Sequence, residues 1–171
     1  MSSIQRDRVL VSVDYRRGLK QSLTAAREAI LQKMGITEFD ANDSDFTDER
    51  FWPRNRDGVS ETWMGLEPYM VRESGREAAT RLQNTPGITL VGTPELLAFL
   101  TLCPERLLQY GDGIFALAEE SRWTNHHCDP ARNIFVPRFW AEDSYAGIGL
   151  CGFDATDGRD EPRAAILVAY T

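Results

Sequence analysis

The chain has 171 residues, 42% of them hydrophobic and 26% charged, a length and balance that predict one globular domain over residues 1–171. Its formal net charge of −7 at pH 7 opposes nucleic-acid binding, because affinity for a phosphate backbone comes from concentrated positive charge. With no run of the ~20 apolar residues that span a membrane and no CxxC pair among its three cysteines, we expect a cytoplasmic protein with free thiols and no membrane partner.

The first third of the chain predicts a strand followed by a helix. Residues 8–15 (RVLVSVDY) alternate valines with other side chains, which is typical of a strand that is buried on one face. From Gly18 apolar residues recur at steps of three and four, which predicts a helix over 18–34 that ends at Gly35. Residues 38–49 carry six acidic side chains without apolar periodicity, so we expect a solvated surface connection there.

The middle of the chain predicts strand and short helices. Residues 59–73 alternate roughly, as in one bent strand or two short ones. Ser74 and Glu77 have the spacing of a capping box, which predicts a helix to about Asn84. Thr93-Pro94 starts another helix, because proline loses nothing in a first turn, and a second short helix should begin at Pro104.

The last third predicts strands. Four β-rich runs are separated by polar segments, and consecutive strands usually pair, so we expect four antiparallel strands in a meander. The runs are IFALAEESRW, NIFVPRFW, YAGIGLCGF and RAAILVAY. The predicted fold is therefore α+β, with an N-terminal strand and helix, short central helices and a C-terminal four-stranded antiparallel β-meander.

Five short motifs follow one another in a recognisable order. They are Val13-Asp14-Tyr15, Glu95-Leu96-Leu97, an apolar segment ending in Trp123, Val136-Pro137, and a strand ending in Phe153-Asp154. Together they resemble a group of uncharacterised proteins from bacteria and their phages, over most of residues 88–171 and more loosely over the first helix. The chain differs from that group in its glycine-rich GIGLCG segment and its His-His-Cys loop. No activity is assigned to the group, so the resemblance implies architecture and not chemistry.

Two apparent motifs do not predict a cofactor or a metal. Gly147, Gly149 and Gly152 match GxGxxG, but no helix follows to present its N-terminus to a pyrophosphate. We therefore expect these glycines in a strand that bends or against which another group packs closely. Residues 126–129 (HHCD) are adjacent in sequence and do not readily converge on one ion, so we expect no metal and no cofactor.

Two segments combine arginines with aromatic side chains in predicted loops, a combination that can hold a planar anion by forked hydrogen bonds and stacking. The candidate ligand-binding residues are Arg54, Arg56, Trp123, His126, His127 and Arg132. The alternative is that Trp52 and Trp123 complete the core while the arginines pair with acids. If Trp123 faces Asn133 across a hairpin, Arg138 lies opposite Ala118 and diagonal to Glu120, which predicts an Arg138–Glu120 ion pair.

Three functions stay open on this sequence. The leading hypothesis is a non-catalytic binding protein that captures a small anionic molecule, with nucleotides as one candidate class. If the resemblance to phage proteins holds, the ligand is a host signalling nucleotide, sequestered in the host cytoplasm as an anti-defence measure. The second hypothesis is an acidic interaction protein that inhibits a host protein, and the third is a hydrolase that uses His126 and His127. Homo-oligomer formation is also open.

Overall fold

The computed structural model describes residues 8–41, 51–52, 61–124, 134–152 and 164–170. Within them helices and strands combine in an α+β fold built on one mixed sheet. The strands are β1 Val9–Asp14, β2 Glu38–Ala41, β3 Glu61–Val71, β4 Ile88–Leu90, β5 Gly113–Phe115, β6 Trp123–Thr124, β7 Ile134–Glu142, β8 Tyr145–Gly152 and β9 Ala164–Tyr170. The α-helices are α1 Gly18–Met34, α2 Gly75–Gln83 and α3 Thr93–Leu102. Short 3-10 helices span Tyr15–Arg17, Pro104–Gln109 and Glu119–Ser121.

The strand order along the sheet is β1-β3-β9-β5-β7-β8-β2. β5 lies between β9 and β7, and two short strands lie off this order: β4 pairs with the end of β9, and β6 pairs with the start of β7. The β5–β9 and β2–β8 pairs are parallel, and the other pairs are antiparallel. Among the described helices, none has the length and apolar character of a membrane span.

The predicted N-terminal strand and helix are confirmed. β1 buries Val11 and Val13, and α1 covers the predicted range. Gly35 follows α1 with φ 65°, a left-handed conformation that glycine adopts at little cost and that ends a helix. The predicted apolar stripe is buried in the core or packed against it: Leu19, Leu23, Ala26, Ile30 and Met34.

The predicted starts of the central helices are confirmed as well. The Glu77 backbone N–H donates to Ser74 Oγ at 3.2 Å, and the Ser74 N–H donates to the Glu77 carboxylate at 3.1 Å, so the capping box is complete. α3 carries Pro94 in its first turn, and a 3-10 helix follows from Pro104. The strand expected over residues 59–73 is the single strand β3.

The C-terminal four-stranded antiparallel meander is not found. β7 and β8 are antiparallel neighbours, but β9 leaves them and lies between β3 and β5, parallel to β5. Every residue from Ala165 to Ala169 is buried, so both faces of β9 are covered. A continuous apolar run needs cover on both faces, and a central position in the sheet provides it, whereas the edge of a meander does not.

The apolar segment ending in Trp123 was expected to be one strand, and the structure divides it. The ladder between β5 and β7 stops after Phe115, because the next facing residue is Pro137, which accepts a hydrogen bond from the Ala116 N–H at 3.2 Å but has no N–H to return. The chain then turns away, and the Ala118 N–H donates to the Val91 carbonyl at 3.0 Å. Pairing with β7 resumes only at Trp123.

The acidic connection predicted over residues 38–49 contains a strand at its start. β2 pairs in parallel with β8, and its Phe39 and Ala41 pack against the core while Glu38 and Asp40 are exposed. The alternation of acidic and apolar side chains in β2 is only four residues long, so the surrounding acidic residues hide it in the sequence. Residues 42–50 lie outside the described residues.

Helices cover the two faces of the sheet unequally. α1 and α3 pack on one face and bury the larger part of the core, including Phe99, Phe139 and Leu167. On the second face a smaller cluster with Leu82 of α2 covers the middle strands. Because side chains alternate between faces, the second face also carries exposed or half-buried residues at its two ends, on β1–β3 and on β7–β8.

Candidate functional site

Of the six residues predicted to bind a ligand, only Trp123 belongs to the described residues. Its ring packs on Phe135, with the ring centroids 5.6 Å apart, and contacts the main core. Trp52 also packs against this core, and its Nε1 donates to the Tyr15 carbonyl at 3.1 Å. Both tryptophans therefore have the structural role that the sequence left open as an alternative. The remaining five lie outside the described residues: Arg54, Arg56, His126, His127 and Arg132.

The predicted register around Arg138 is wrong. Trp123 faces Phe135 rather than Asn133, so Arg138 lies opposite Phe115 on one side and Gly149 on the other. Residues 116–122 separate β5 from β6 but span only residues 136 and 137 of β7, and this difference in length causes the shift. Arg138 consequently makes no ion pair with Glu120, and its guanidinium is available for another role.

The glycine-rich strand β8 is explained by one side chain, Trp140, that lies across it. A Cβ on Gly147 would come within 2.5 Å of Trp140 Cζ2, and a Cβ on Gly149 within 3.1 Å of Trp140 Cζ3. Gly147 faces Trp140 directly across the β7–β8 ladder, and Gly149 is its diagonal neighbour. The prediction that close packing accounts for these glycines is thus confirmed at both positions.

Arg138 stacks on the same indole. Its guanidinium carbon lies 4.9 Å from the Trp140 ring centroid, and residues 138 and 140 share one face of β7. The side chain is half-buried, and its Nε is buried without a hydrogen-bond partner. Within the described parts of the chain it has no carboxylate in ion-pair range. We call Arg138, Trp140, Gly147 and Gly149 the Arg-Trp platform.

Acidic side chains border the far end of the platform. The Tyr145 hydroxyl donates to Asp40 Oδ2 at 3.1 Å, and this hydrogen bond, with desolvation and the charges of Asp40, Glu38 and Glu142, raises the pKa of Tyr145. Glu142 follows Arg138 by four residues on the same face of β7, so the platform has a cation at one end and borders acidic side chains at the other. A ligand on it would therefore turn its negative group towards Arg138.

A separate cavity of about 220 Å³ lies beside β1, between Asp14, Glu61 and Arg17 and the small side chains of α1 and α3. Asp14 accepts hydrogen bonds from Arg16 Nε at 2.8 Å and Nη2 at 3.0 Å, which lower the pKa of its carboxyl group. Glu61 accepts a hydrogen bond from Ser12. Because its acids already have partners within the chain, this cavity offers less to an ionic ligand than the platform does.

Two of the sequence motifs meet in a buried polar network. The Tyr15 hydroxyl donates to Glu95 Oε1 at 2.6 Å, and Glu95 Oε2 accepts from the Gly92 N–H at 3.0 Å. Ser121 Oγ joins the network by accepting from the Thr93 N–H at 2.7 Å. These groups are buried, so the network connects the 3-10 helix after β1, the start of α3 and the 3-10 helix that ends at Ser121 rather than facing a ligand. In the described residues no three His, Cys, Asp or Glu side chains are grouped to hold a metal.

The sequence carries signals of the platform that predict it only when they are combined. An arginine and a tryptophan two positions apart share a face of a strand, as do two glycines two positions apart. An aromatic side chain often covers a glycine on the neighbouring strand, so the pairing of RFW with GIG was a usable signal. Comparison of the chain with protein-family models, with curated proteins and with solved structures gave no match. The resemblance to bacterial and phage proteins stays a prediction.

Proposed function

We propose that the protein is a non-catalytic binding protein that captures a small anionic molecule, with nucleotides as the first class to test. The observation that carries this proposal is the half-buried Arg138 guanidinium, stacked on Trp140 with its Nε unpartnered. If the resemblance to phage proteins holds, capture sequesters a host signalling nucleotide in the host cytoplasm. Otherwise the protein acts in the cytoplasm of its own cell.

The chemistry of the platform suits a planar anion. A guanidinium that is partly withdrawn from water is costly without a counter-charge, and a bound carboxylate or phosphate removes that cost. Its forked N–H groups match two oxygens of such a group. Trp140 lies over Gly147 and Gly149, which holds its indole beside Arg138, where the ring of a ligand can contact it.

The loop residues Arg54, Arg56, His126, His127 and Arg132 form a second proposed location for the ligand. Arg138 belongs to β7, whereas these five residues lie outside the described residues, so the two proposals name different side chains. They are separable by substitution, which makes the choice between them experimental.

The test begins with a thermal-shift screen of nucleotides and other phosphates, because a ligand that binds only the folded state raises its apparent stability. Calorimetry then compares Arg138→Ala with Arg27→Ala, using a ligand that the screen selects. Arg27 is the matched control, because it stacks over Phe39 at 5.7 Å but is exposed on α1. We expect Arg138→Ala to weaken binding by about ten- to a hundredfold and Arg27→Ala to leave it unchanged.

Three results would count against these proposals. If Arg138→Ala keeps the circular dichroism spectrum of the parent chain and binds the ligand with unchanged affinity, the platform is not the binding site. Loss of affinity in Arg132→Ala or His127→Ala instead would place the ligand at the loop end of the strand. Absence of any stabilising anion in the screen would overturn capture itself.

A further inference from the structure

Among the described strands, β1 and β2 lie at the two edges of the sheet. The backbone of β1 pairs with β3 on one side, and in the described structure no backbone hydrogen bond reaches its other side. The outward N–H and C=O groups of a six-residue strand therefore form a ready template for a further strand. In the part of the chain that the structure describes, β2 is likewise paired only with β8.

The two edges differ in the features that prevent unwanted pairing. β2 has four residues and carries the exposed acids Glu38 and Asp40, and short length and charge are the usual protection of an edge. β1 has six residues (VLVSVD) with no proline, and its single charged side chain is at its end. Only β1 is therefore suited to accept another strand.

The surface next to this edge is apolar. Leu10 is 64% exposed and Trp63 is 63% exposed, and both lie on the second face of the sheet. Leu10 faces Gly65 across the β1–β3 ladder and Trp63 faces Ser12, so the two large side chains are diagonal neighbours. A Cβ on Gly65 would have open space around it. We call Leu10, Trp63 and Gly65 the edge patch.

We propose that β1 pairs with β1 of a second copy of this chain, antiparallel and about a two-fold axis at Val11. The charge pattern of residues 8–14 (RVLVSVD) selects this partner and register. Antiparallel pairing at Val11 sets Arg8 opposite Asp14 of the second copy, so that opposite charges face each other at both ends of the ladder. Parallel pairing in register would set like charges side by side.

This register also brings the two edge patches together. Leu10 faces Ser12 of the second copy. In that copy Trp63 is the neighbour of Ser12 across the β1–β3 ladder. Each Leu10 therefore gains an apolar neighbour across the axis. Arg8 Nε already lies 3.9 Å from Glu67 Oε2 and its guanidinium lies over the Tyr170 ring, but the side chain keeps 37% exposure. A contact with Asp14 of the second copy would therefore add to these contacts within the chain. One strand pair with a small patch is a limited contact, so the dimer is concentration-dependent.

Sedimentation velocity over a range of protein concentrations tests the pairing. We expect the full chain to form a dimer that Leu10→Lys weakens by at least about tenfold, because the lysine adds a charge at the edge, as natural edge strands do. The matched control is Leu108→Lys, which adds the same charge at a side chain of similar exposure (57%) on the 3-10 helix after α3. It should dimerise like the parent chain.

A disulfide measures the register and does not depend on the lysine variant. The double variant Leu10→Cys/Ser12→Cys places thiols directly opposite each other across the axis, where a disulfide can form. Mild oxidation should give a covalent dimer whose peptide map links position 10 to position 12, at higher yield than in either single variant. The proposal would be overturned if the parent chain stayed monomeric or if Leu10→Lys left the dimer unaffected. It would also be overturned if Leu108→Lys weakened the dimer equally, or if the peptide map lacked the link between positions 10 and 12.

Discussion

Replacing Gly147 with alanine tests the contact that holds Trp140 on the sheet. The added Cβ would lie 2.5 Å from Trp140 Cζ2 and 2.9 Å from the Asp40 carbonyl oxygen, one a ring and the other a backbone atom. Neither can retreat without moving β2 or the indole. Because Arg138 stacks on that indole, a shift of Trp140 also disturbs the proposed ligand position.

The magnitude follows from overpacking a filled site, which costs about 1 to 3 kcal/mol. Replacing glycine in a strand recovers roughly 0.5 to 1 kcal/mol of backbone entropy, so the net loss for Gly147→Ala is about 1 to 2 kcal/mol. Gly65 is the matched control, because it lies on the same face of the sheet, in β3, with nothing within 4 Å of its built Cβ. Gly65→Ala should therefore be neutral or stabilising by up to about 1 kcal/mol.

Urea unfolding at equilibrium measures both changes, and the free energies should differ by roughly 2 kcal/mol between the two variants. In a thermal melt this corresponds to about 4 to 8 °C for a chain of this size. A second Gly147→Ala measurement in a Trp140→Ala background should give a smaller loss, with the Asp40 carbonyl oxygen accounting for the remainder. Equal stabilities of Gly147→Ala and Gly65→Ala would refute the packing of Trp140 over β8.

Two further predictions concern hydrogen bonds to carboxylates. Tyr15→Phe should lower the free energy of unfolding in urea by about 1 to 3 kcal/mol, because it removes the buried hydroxyl that donates to Glu95. Tyr145→Phe removes an exposed hydrogen bond and should change the free energy of unfolding by no more than about 0.5 kcal/mol. In an NMR titration, Arg16→Ala should raise the lowered pKa of Asp14 towards the ordinary value of an aspartate. Since that pKa is lowered by folding, the stabilisation is present above about pH 4 and is lost as the pH falls through the folded-state pKa. A pKa of Asp14 that is unchanged in Arg16→Ala would contradict the assignment of the shift to this hydrogen bond.

Local structure could be predicted from the sequence by itself. The boundaries of α1 follow from a three-to-four residue period and a glycine that takes the left-handed conformation. The start of α2 follows from Ser74 and Glu77, whose side chains and backbone satisfy each other within four residues. Each of these outcomes depends on contacts between near neighbours, which a sequence pattern shows directly.

The order and register of the strands were decided by tertiary structure. β9 lies in the centre of the sheet rather than beside β8, because its buried residues need cover on both faces. No segment that is close in sequence provides that cover. Pro137 ended the β5 ladder through a missing N–H on a strand some twenty residues away. Because side chains alternate along a strand, such a change of register changes which residues meet.

The candidate site shows the same division. The sequence supplied an arginine, a tryptophan and two glycines, and it correctly predicted that something packs closely on the glycines. It assigned Arg138 to Glu120, because a regular hairpin from Trp123 would have aligned them. In the structure, residues 116–122 separate β5 from β6 and face only residues 136 and 137 of β7, so Arg138 lies opposite Phe115 rather than Ala118. On its other side Arg138 faces Gly149 of β8, and its guanidinium lies over Trp140. Periodicity in a sequence determines which face of a strand a side chain occupies, but the partner that it meets there depends on long-range pairing.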